Sequence, residues 1–329
     1  MRRVDGMNCR AGISPYRIVF LGTAEFAVPA LRALAEGTDE IVGVFTRPDR
    51  PAGRGRKLRA PAVKLAAEEL GLRVLQPAAG GVSRGEGLEQ LRGLTADLMV
   101  VAAFGEILGE EALSAPKCGA INLHASLLPK YRGAAPIQRA LMAGERVTGV
   151  TVQWMAREMD AGDVILQRAL EMGEEEDFGS LHDRLAALGA EAMVESVGLI
   201  RRREAGRTQQ EGEQATYAPP IRREELVIEW ERTAEEAGRL VRALSPRPGA
   251  RTMRGGEVLK ILRARAGKTG EGQGGIAGEI MESNSEGFWV TTGEGCLLVL
   301  CVQPAGRRPM SATDYLKGYR LKRGERLGA

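Results

Sequence analysis

Asn122-Leu-His124 closes a short apolar segment, Gly119-Ala-Ile121, and carries two side chains suited to a reaction at a carbonyl carbon. Residues two apart on an extended chain point the same way, so Asn122 and His124 should project together beyond the sheet that this segment joins. An amide can donate a hydrogen bond to an oxygen that is gaining negative charge, and an imidazole can give or take a proton. Taken alone, the pair also fits a turn capped by Asn beside a satisfied histidine. Met159-Asp160-Ala-Gly162-Asp163 offers a carboxylate, although Asp and Gly are default turn residues. A carboxylate beside an imidazole favours the charged ring and fixes its orientation.

A second feature is electrostatic. Between Arg47 and Arg59, six basic side chains (Arg47, Arg50, Arg54, Arg56, Lys57 and Arg59) face one acid, Asp49. The prolines and glycines among them rule out a core element. The stretch reads as a loop inserted after the second strand, either a solvated insertion or a surface that grips phosphates.

The elements that must position these groups follow an alternating pattern. Arg17 to Leu21, Ile41 to Phe45, Val74, Leu98 to Val101 and Ala120 to Leu123 read as strands. Phe26 to Ala35, Ala62 to Leu70 and Leu88 to Leu94 read as the helices between them. Such alternation predicts a mostly parallel, doubly wound, Rossmann-like α/β sheet, whose ligands bind beyond the carboxyl ends of the strands. That is where Asn122 and His124 fall. The first turn carries a single Gly22 in place of G-x-G-x-x-G, which argues against a dinucleotide enzyme. Asp177 to Arg203 reads as a long amphipathic helix, with His182 as a surface or interdomain histidine. The polar run from Glu204 to Gln214, up to Pro219 and Pro220, reads as a linker. Beyond it, the helix Ala234 to Leu244 precedes short strands near Val258 to Leu262, Gly278 to Met281, Gly287 to Thr291 and Cys296 to Val302. Glycine-rich turns separate those strands, which suggests a small barrel.

Composition narrows the class. The 329 residues are enough for two domains with separate cores. No apolar stretch approaches a bilayer span, so a soluble protein is expected. The net charge of +3 makes any nucleic-acid footprint local. Cys9, Cys118, Cys296 and Cys301 show no metal-ligand spacing, and reduced thiols in a cytosol are expected. Residues 1–16 read as a ragged extension, with Met7 an alternative start.

Asn122 to Pro129, followed by Tyr131-Arg-Gly-Ala-Ala-Pro-Ile-Gln138, resembles the signature of the folate-dependent formyltransferases. The likeness runs over nearly the whole chain from Arg17. It includes Gly22 to Phe26, Val44 to Gly55, Thr148 to Thr151, Met159 to Asp163, Gln303 to Gly306 and Met310 to Ala312. The basic loop and the C-terminal motifs are most similar to members that formylate methionine carried by initiator tRNA.

The resemblance implies 10-formyltetrahydrofolate as co-substrate, methionyl initiator tRNA as acceptor, no metal, and a monomeric cytoplasmic enzyme of bacterial or organellar-type translation. It implies Asn122, His124 and Asp160 as the catalytic trio, and Ser126, Leu127, Leu128 and Pro129 with Phe104 and Gly105 as the folate pocket. Arg50, Arg54, Arg56 and Lys57 would contact tRNA. The implied division is an extension (1–16), a catalytic domain (17–203), a linker (204–220) and an OB-like, tRNA-holding domain (221–329). Glu158 stands where relatives carry a glycine, so a left-handed backbone is not expected there. Ala24 replaces a usual proline. Other formylfolate-dependent transferases, a formylfolate hydrolase and a catalytically silent tRNA-binding protein are the alternatives.

Overall fold

The computed structural model describes residues 15–52, 57–77, 81–267 and 275–328, without the side chains of Ala52 and Lys57. In chain order it begins with strand β1 (Arg17–Gly22), helix α1 (Val28–Ala35), β2 (Glu40–Phe45), β3 (Arg50–Ala52), β4 (Lys57–Arg59), α2 (Ala62–Glu69), β5 (Val74–Leu75) and α3 (Gly85–Gly93). Next come β6 (Leu98–Ala102), α4 (Glu110–Leu113), β7 (Ala120–His124), β8 (Arg132–Gly133), α5 (Pro136–Ala143), β9 (Val147–Trp154), β10 (Val164–Glu171) and α6 (Phe178–Arg202). The remainder is β11 (Tyr217–Ala218), α7 (Ala234–Leu244), β12 (Ala250–Arg254), β13 (Glu257–Gly267), β14 (Ile280–Ser283), β15 (Phe288–Thr291), β16 (Cys296–Pro304), β17 (Met310–Ser311) and α8 (Ala312–Gly318).

The described residues fall into two compact units. One draws on Met1–Gly133, Thr148–Leu170 and Asp183–Tyr217, the other on Ala134–Val147, Glu171–His182 and Ala218–Ala329. Among the described residues no helix is long and apolar enough to cross a membrane.

The first unit is built on a seven-stranded sheet in the order β10-β9-β7-β6-β1-β2-β5. β1 runs parallel to β2 and β6, β6 to β7, and β2 to β5, as the alternation of strands and helices requires. Its strands are continuous apolar runs because both faces are covered: Ile18, Val19, Phe20 and Leu21 are all fully buried. On one face Val19, Leu21, Met99 and Val101 pack with Leu88 and Leu91 of α3. On the other, Gly189 of α6 brings that helix close to Leu123, where a Cβ would meet the leucine Cδ2 at 2.8 Å. Beyond β7 the sheet turns antiparallel, since β9 pairs β7 with Asn122 opposite Gln153 and His124 opposite Thr151. Strand order reverses between β1 and β6, which opens a crevice at their carboxyl ends.

The described flanks of the basic insertion are more regular than a loop. β3 and β4 form an antiparallel hairpin in which Arg50 opposes Arg59 and Ala52 opposes Lys57. Its root is tied down: Lys64 Nζ donates to both Asp49 oxygens at 2.9 and 3.0 Å. Gln76 Nε2 donates to Asp49 Oδ1 at 2.9 Å and to the Arg47 carbonyl at 2.8 Å. The Gln76 amide and the Lys64 ammonium hold the Asp49 carboxyl below the usual carboxylate range. The one acid in the insertion therefore serves as its anchor.

In the second unit β12-β13-β16-β15-β14 form an antiparallel sheet, with β17 added on β16. Helix α7 starts with a reciprocal capping pair, Thr233 and Glu236. It lays Ala237, Val241 and Leu244 against Leu259, Ile261, Leu297 and Val299. Residues 325–328 bridge the sheet's outer strands. The Ile280 N–H donates to the Glu325 carbonyl, the Leu327 N–H to that of Gly278 and the Gly328 N–H to that of Met253 on β12, each at 2.8 Å. His182 packs on the ring of Phe178, 5.6 Å between centroids.

Cys296 and Cys301 are free thiols. Cys118 is disulfide-bonded, which corrects the expectation of reduced thiols throughout, because pairing follows spatial proximity and not spacing along the chain. The expected extension falls outside the described residues up to residue 14. Tyr16 is buried, and its N–H donates to Asp39 Oδ1 at 2.8 Å.

Candidate active site

Asn122 and His124 sit at the carboxyl end of β7, with Leu123 between them facing α6. Parallel pairing places Asn122 level with Val101 of β6. His124 is 6% exposed. Its Nε2 lies 2.9 Å from the Tyr131 carbonyl. A carbonyl only accepts, so Nε2 carries a proton. Nδ1 is then left facing Asp160, whose Oδ2 stands 3.6 Å away. That gap is too long for a hydrogen bond and close enough for charge to matter. Asn122 is half-buried, and among the described residues no hydrogen bond holds its side-chain amide.

Asp160 is held from three sides. The Gly133 N–H donates to Oδ2 at 2.9 Å, and Gln153 Nε2 donates to Oδ1 at 3.2 Å. Gln210 Nε2 lies 2.9 Å from the Asp160 carbonyl. The left-handed backbone of this loop falls on Asp160 itself, at φ +51°, and not on Glu158. Tyr131, at φ +61°, and Ala103, at φ +43°, share that conformation. A left-handed non-glycine residue is strained and persists only where its surroundings enforce it, as the hydrogen bonds to Asp160 do here.

The six residues expected to form a folate pocket divide. Ser126 to Pro129 form a latched turn: Ser126 Oγ donates to the Lys130 carbonyl at 2.6 Å, and Thr151 Oγ1 donates to the Ser126 carbonyl at 2.7 Å. The Leu128 N–H donates to Thr151 Oγ1 at 3.1 Å, and Gln167 Nε2 to the Leu128 carbonyl at 2.8 Å. Ser126 and Leu128 are buried, which leaves Leu127 and Pro129 partly open. Phe104 places its ring in the core. Its backbone lies at the β1/β6 crevice, because the Thr23 N–H donates to the Ala103 carbonyl at 3.2 Å and Thr23 Oγ1 to the Phe104 carbonyl at 2.8 Å. Gly105, at φ +79°, is exposed there. Of the expected tRNA contacts, Arg50 is exposed on β3 and Lys57 begins β4, while Arg54 and Arg56 lie outside the described residues. Among the described residues no group of three or more His, Cys, Asp or Glu is placed to hold a metal.

Residues 16–197 match the family model described as formyl transferase, and residues 220–320 match that of the formyl transferase C-terminal domain. The chain belongs to the formyl transferase family. Within this family, the methionyl-tRNA formyltransferase of Moorella thermoacetica is 50% identical over 312 residues, covering 95% of this chain and 99% of that protein. The methionyl-tRNA formyltransferase of Geobacter sulfurreducens is 44% identical over 313 residues, 95% of this chain and 96% of that one. Among solved structures, HypX from Aquifex aeolicus matches 92% of this chain at a TM-score of 0.64 and 19% identity, and this chain spans 49% of HypX. That last likeness is one of fold.

Against the formyl transferase background, three site residues went unread in the sequence: Tyr131, Gln153 and Gln210. Gln153 had a usable signal, since it lies opposite Asn122 once β9 is recognised as a strand. Tyr131 acts through its carbonyl, which any residue would supply. Gln210 gave no signal, lying in a polar run that reads as a linker.

Proposed function

We propose that this chain transfers the formyl group of 10-formyltetrahydrofolate to the α-amino group of methionine carried by initiator tRNA. The product is N-formylmethionyl-tRNA for translation initiation. The observation that carries the chemistry is the trio at the end of β7: a half-buried Asn122 amide with no hydrogen bond among the described residues, a His124 ring with Nε2 committed to Tyr131, and the Asp160 carboxylate facing Nδ1. Identity of 50% over 99% of a methionyl-tRNA formyltransferase supports the acceptor.

In this reading the neutral amine attacks the formyl carbon, a C–N bond forms and the formyl oxygen gains negative charge. Asn122 Nδ2–H and His124 Nδ1–H donate to that oxygen, each worth roughly 3 to 4 kcal/mol when well placed. His124 Nδ1 is the available donor because the Tyr131 carbonyl occupies Nε2. Asp160 compensates the charged ring and takes the proton from the attacking nitrogen, directly or through a water. When the oxygen's charge returns to carbon, the bond to folate N10 breaks and the proton taken up by Asp160 passes to that nitrogen, directly or through a water.

The donor lies along the Ser126–Pro129 turn and the Phe104–Gly105 backbone, at the carboxyl ends of adjacent strands where open α/β sheets take their ligands. Leu127 and Pro129 supply apolar surface. The β3–β4 hairpin, with Arg50, Arg54, Arg56 and Lys57, engages tRNA phosphates. The antiparallel unit from residue 221 onward supports the same tRNA. We place the enzyme in the cytoplasm as a monomer.

The deciding assay mixes purified protein, 10-formyltetrahydrofolate and charged initiator tRNA, and follows formylmethionyl-tRNA. Product that requires all three components is expected. Release of formate without tRNA would replace this reading with a hydrolase, and tRNA binding without turnover with a silent binder.

A further inference from the structure

The segment 206–216 lies within residues 204–220, which the sequence presents as a linker. In the structure it is strapped across both loops of the active site. The Gly206 carbonyl accepts from Trp154 Nε1 at 3.2 Å, and Thr208 exchanges backbone hydrogen bonds with Val164 at 2.8 and 3.1 Å. The Arg207 guanidinium lies over the Trp154 ring, 4.4 Å from its centroid. At the other end, Thr216 Oγ1 accepts from the Tyr131 N–H at 2.8 Å, and the Thr216 carbonyl from the Arg132 N–H at 2.8 Å.

Gln210 sits at the middle of this strap with both ends of its amide used. Oε1 accepts from Arg132 Nε at 3.1 Å and Nη2 at 2.7 Å. A guanidinium only donates, so this contact fixes which way the amide points. Nε2 therefore faces three acceptors, Gln153 Oε1 at 3.1 Å, the Asp160 carbonyl at 2.9 Å and the Gly162 carbonyl at 2.7 Å. Its two protons are shared among them. Gln153, oriented in turn by Gln210, spends its own Nε2 on Asp160 Oδ1 at 3.2 Å. One side chain thus turns the left-handed carbonyl of Asp160 inward and, through Gln153, sets the carboxylate opposite His124.

We propose that Gln210 is a positioning residue for Asp160, and that the strap carrying it belongs to the catalytic apparatus of formyl transfer. This rests on the reaction proposed above. Arg132 joins the loop bearing the Tyr131 carbonyl to the same amide, so His124 and Asp160 are placed by one hydrogen-bonded unit.

Gln210→Glu separates positioning from folding. The carboxylate keeps the acceptor for Arg132 and has no donor for Asp160, Gly162 or Gln153. The expected result is a kcat lowered about 10- to 100-fold, consistent with small misplacements at a reacting centre. KM for formylfolate and for tRNA should stay within about twofold, and thermal melting should stay near wild type. Gln210→Met, of similar shape and with no strong hydrogen-bonding group, should show the same split if the glutamate variant melts early. The decisive measurement is the pair with Asp160→Asn. If Gln210 acts through Asp160, its substitution costs little further in that background, because residues acting as a unit are non-additive. Wild-type kcat in both Gln210 variants, or an equal penalty in the presence and absence of Asp160→Asn, overturns the proposal. A wild-type protein that fails to formylate tRNA overturns the reaction instead, so the two failures are distinguishable.

Discussion

Gly133 donates its backbone N–H to Asp160 Oδ2 at 2.9 Å, two residues after Tyr131 offers its carbonyl to His124 Nε2. One short stretch after the Ser126–Pro129 turn therefore holds both the imidazole and the carboxylate. On this side both groups are held by backbone atoms, which replacement of the His124 side chain leaves in place, while Gln153 holds the other carboxylate oxygen.

Replacement of His124 by Ala should accordingly remove a donor without collapsing the loop. Formylation is expected to fall by about 100- to 1000-fold in kcat, with formylfolate and tRNA affinities nearly unchanged. Steady-state kinetics in both substrates test this, and turnover close to wild type would remove His124 from the chemistry.

Gly162→Ala is expected to damage the acidic loop from behind. A Cβ at this position would fall 1.7 Å from the Trp154 carbonyl oxygen, so backbone must move. Overpacking of that kind costs roughly 1–3 kcal/mol. Denaturant unfolding should show the loss, and because the Gly162 carbonyl shares the Gln210 amide, kcat should drop as well. An unchanged unfolding midpoint would contradict the close approach.

The β3–β4 hairpin should act through phosphates and hence through salt. Changing Arg54 and Arg56 to Ala is expected to weaken use of charged tRNA and to flatten the log–log salt dependence of binding by about 0.7 to 0.9 for each phosphate no longer neutralised, with formylfolate binding intact. Equal salt slopes for variant and wild type would make the hairpin a passive insertion.

Acid should loosen the second unit at Glu325. Hydrogen bonds from Arg254 hold this carboxyl below its ordinary value, with Nε to Oε1 at 2.7 Å and Nη2 to Oε2 at 3.3 Å. A depressed folded-state pKa means a contribution fully present above the ordinary carboxylate value and lost as pH falls through the depressed one. Glu325→Gln should cost roughly 1.5–3 kcal/mol near neutral pH and should melt with a shallower pH dependence in the acid range. Parallel pH curves for the two proteins would show that the pair contributes nothing.

The first half of the sheet was legible because burial on both faces forces apolar strands, and the helices between them keep their own period. The direction of Asn122 and His124 followed from strand geometry alone. β9 and β10 were harder: β9 is buried almost throughout and lacks alternation, and β10 is largely half-exposed, so neither shows a period of two. Asp160 is marked by resemblance, yet its left-handed backbone is not, because sequence does not say which residue of a turn bears the strain. Gln210 was invisible for a different reason. A polar run without periodicity looks the same whether it wanders through solvent or wraps a site, and only the partners at Arg132, Gln153 and Asp160 distinguish the two.

Residues 325–328 link β12 to the β14 side of the antiparallel sheet through the Met253 and Gly278 carbonyls and the Ile280 N–H. A growing chain on the ribosome can form every earlier strand pair of that unit and still lack this seam. Its two outer edges then remain open to wrong partners until residues 325–328 have emerged. This half of the molecule is therefore sealed later than any of its strands is made, and a truncation ahead of residue 325 acts on folding before it acts on function.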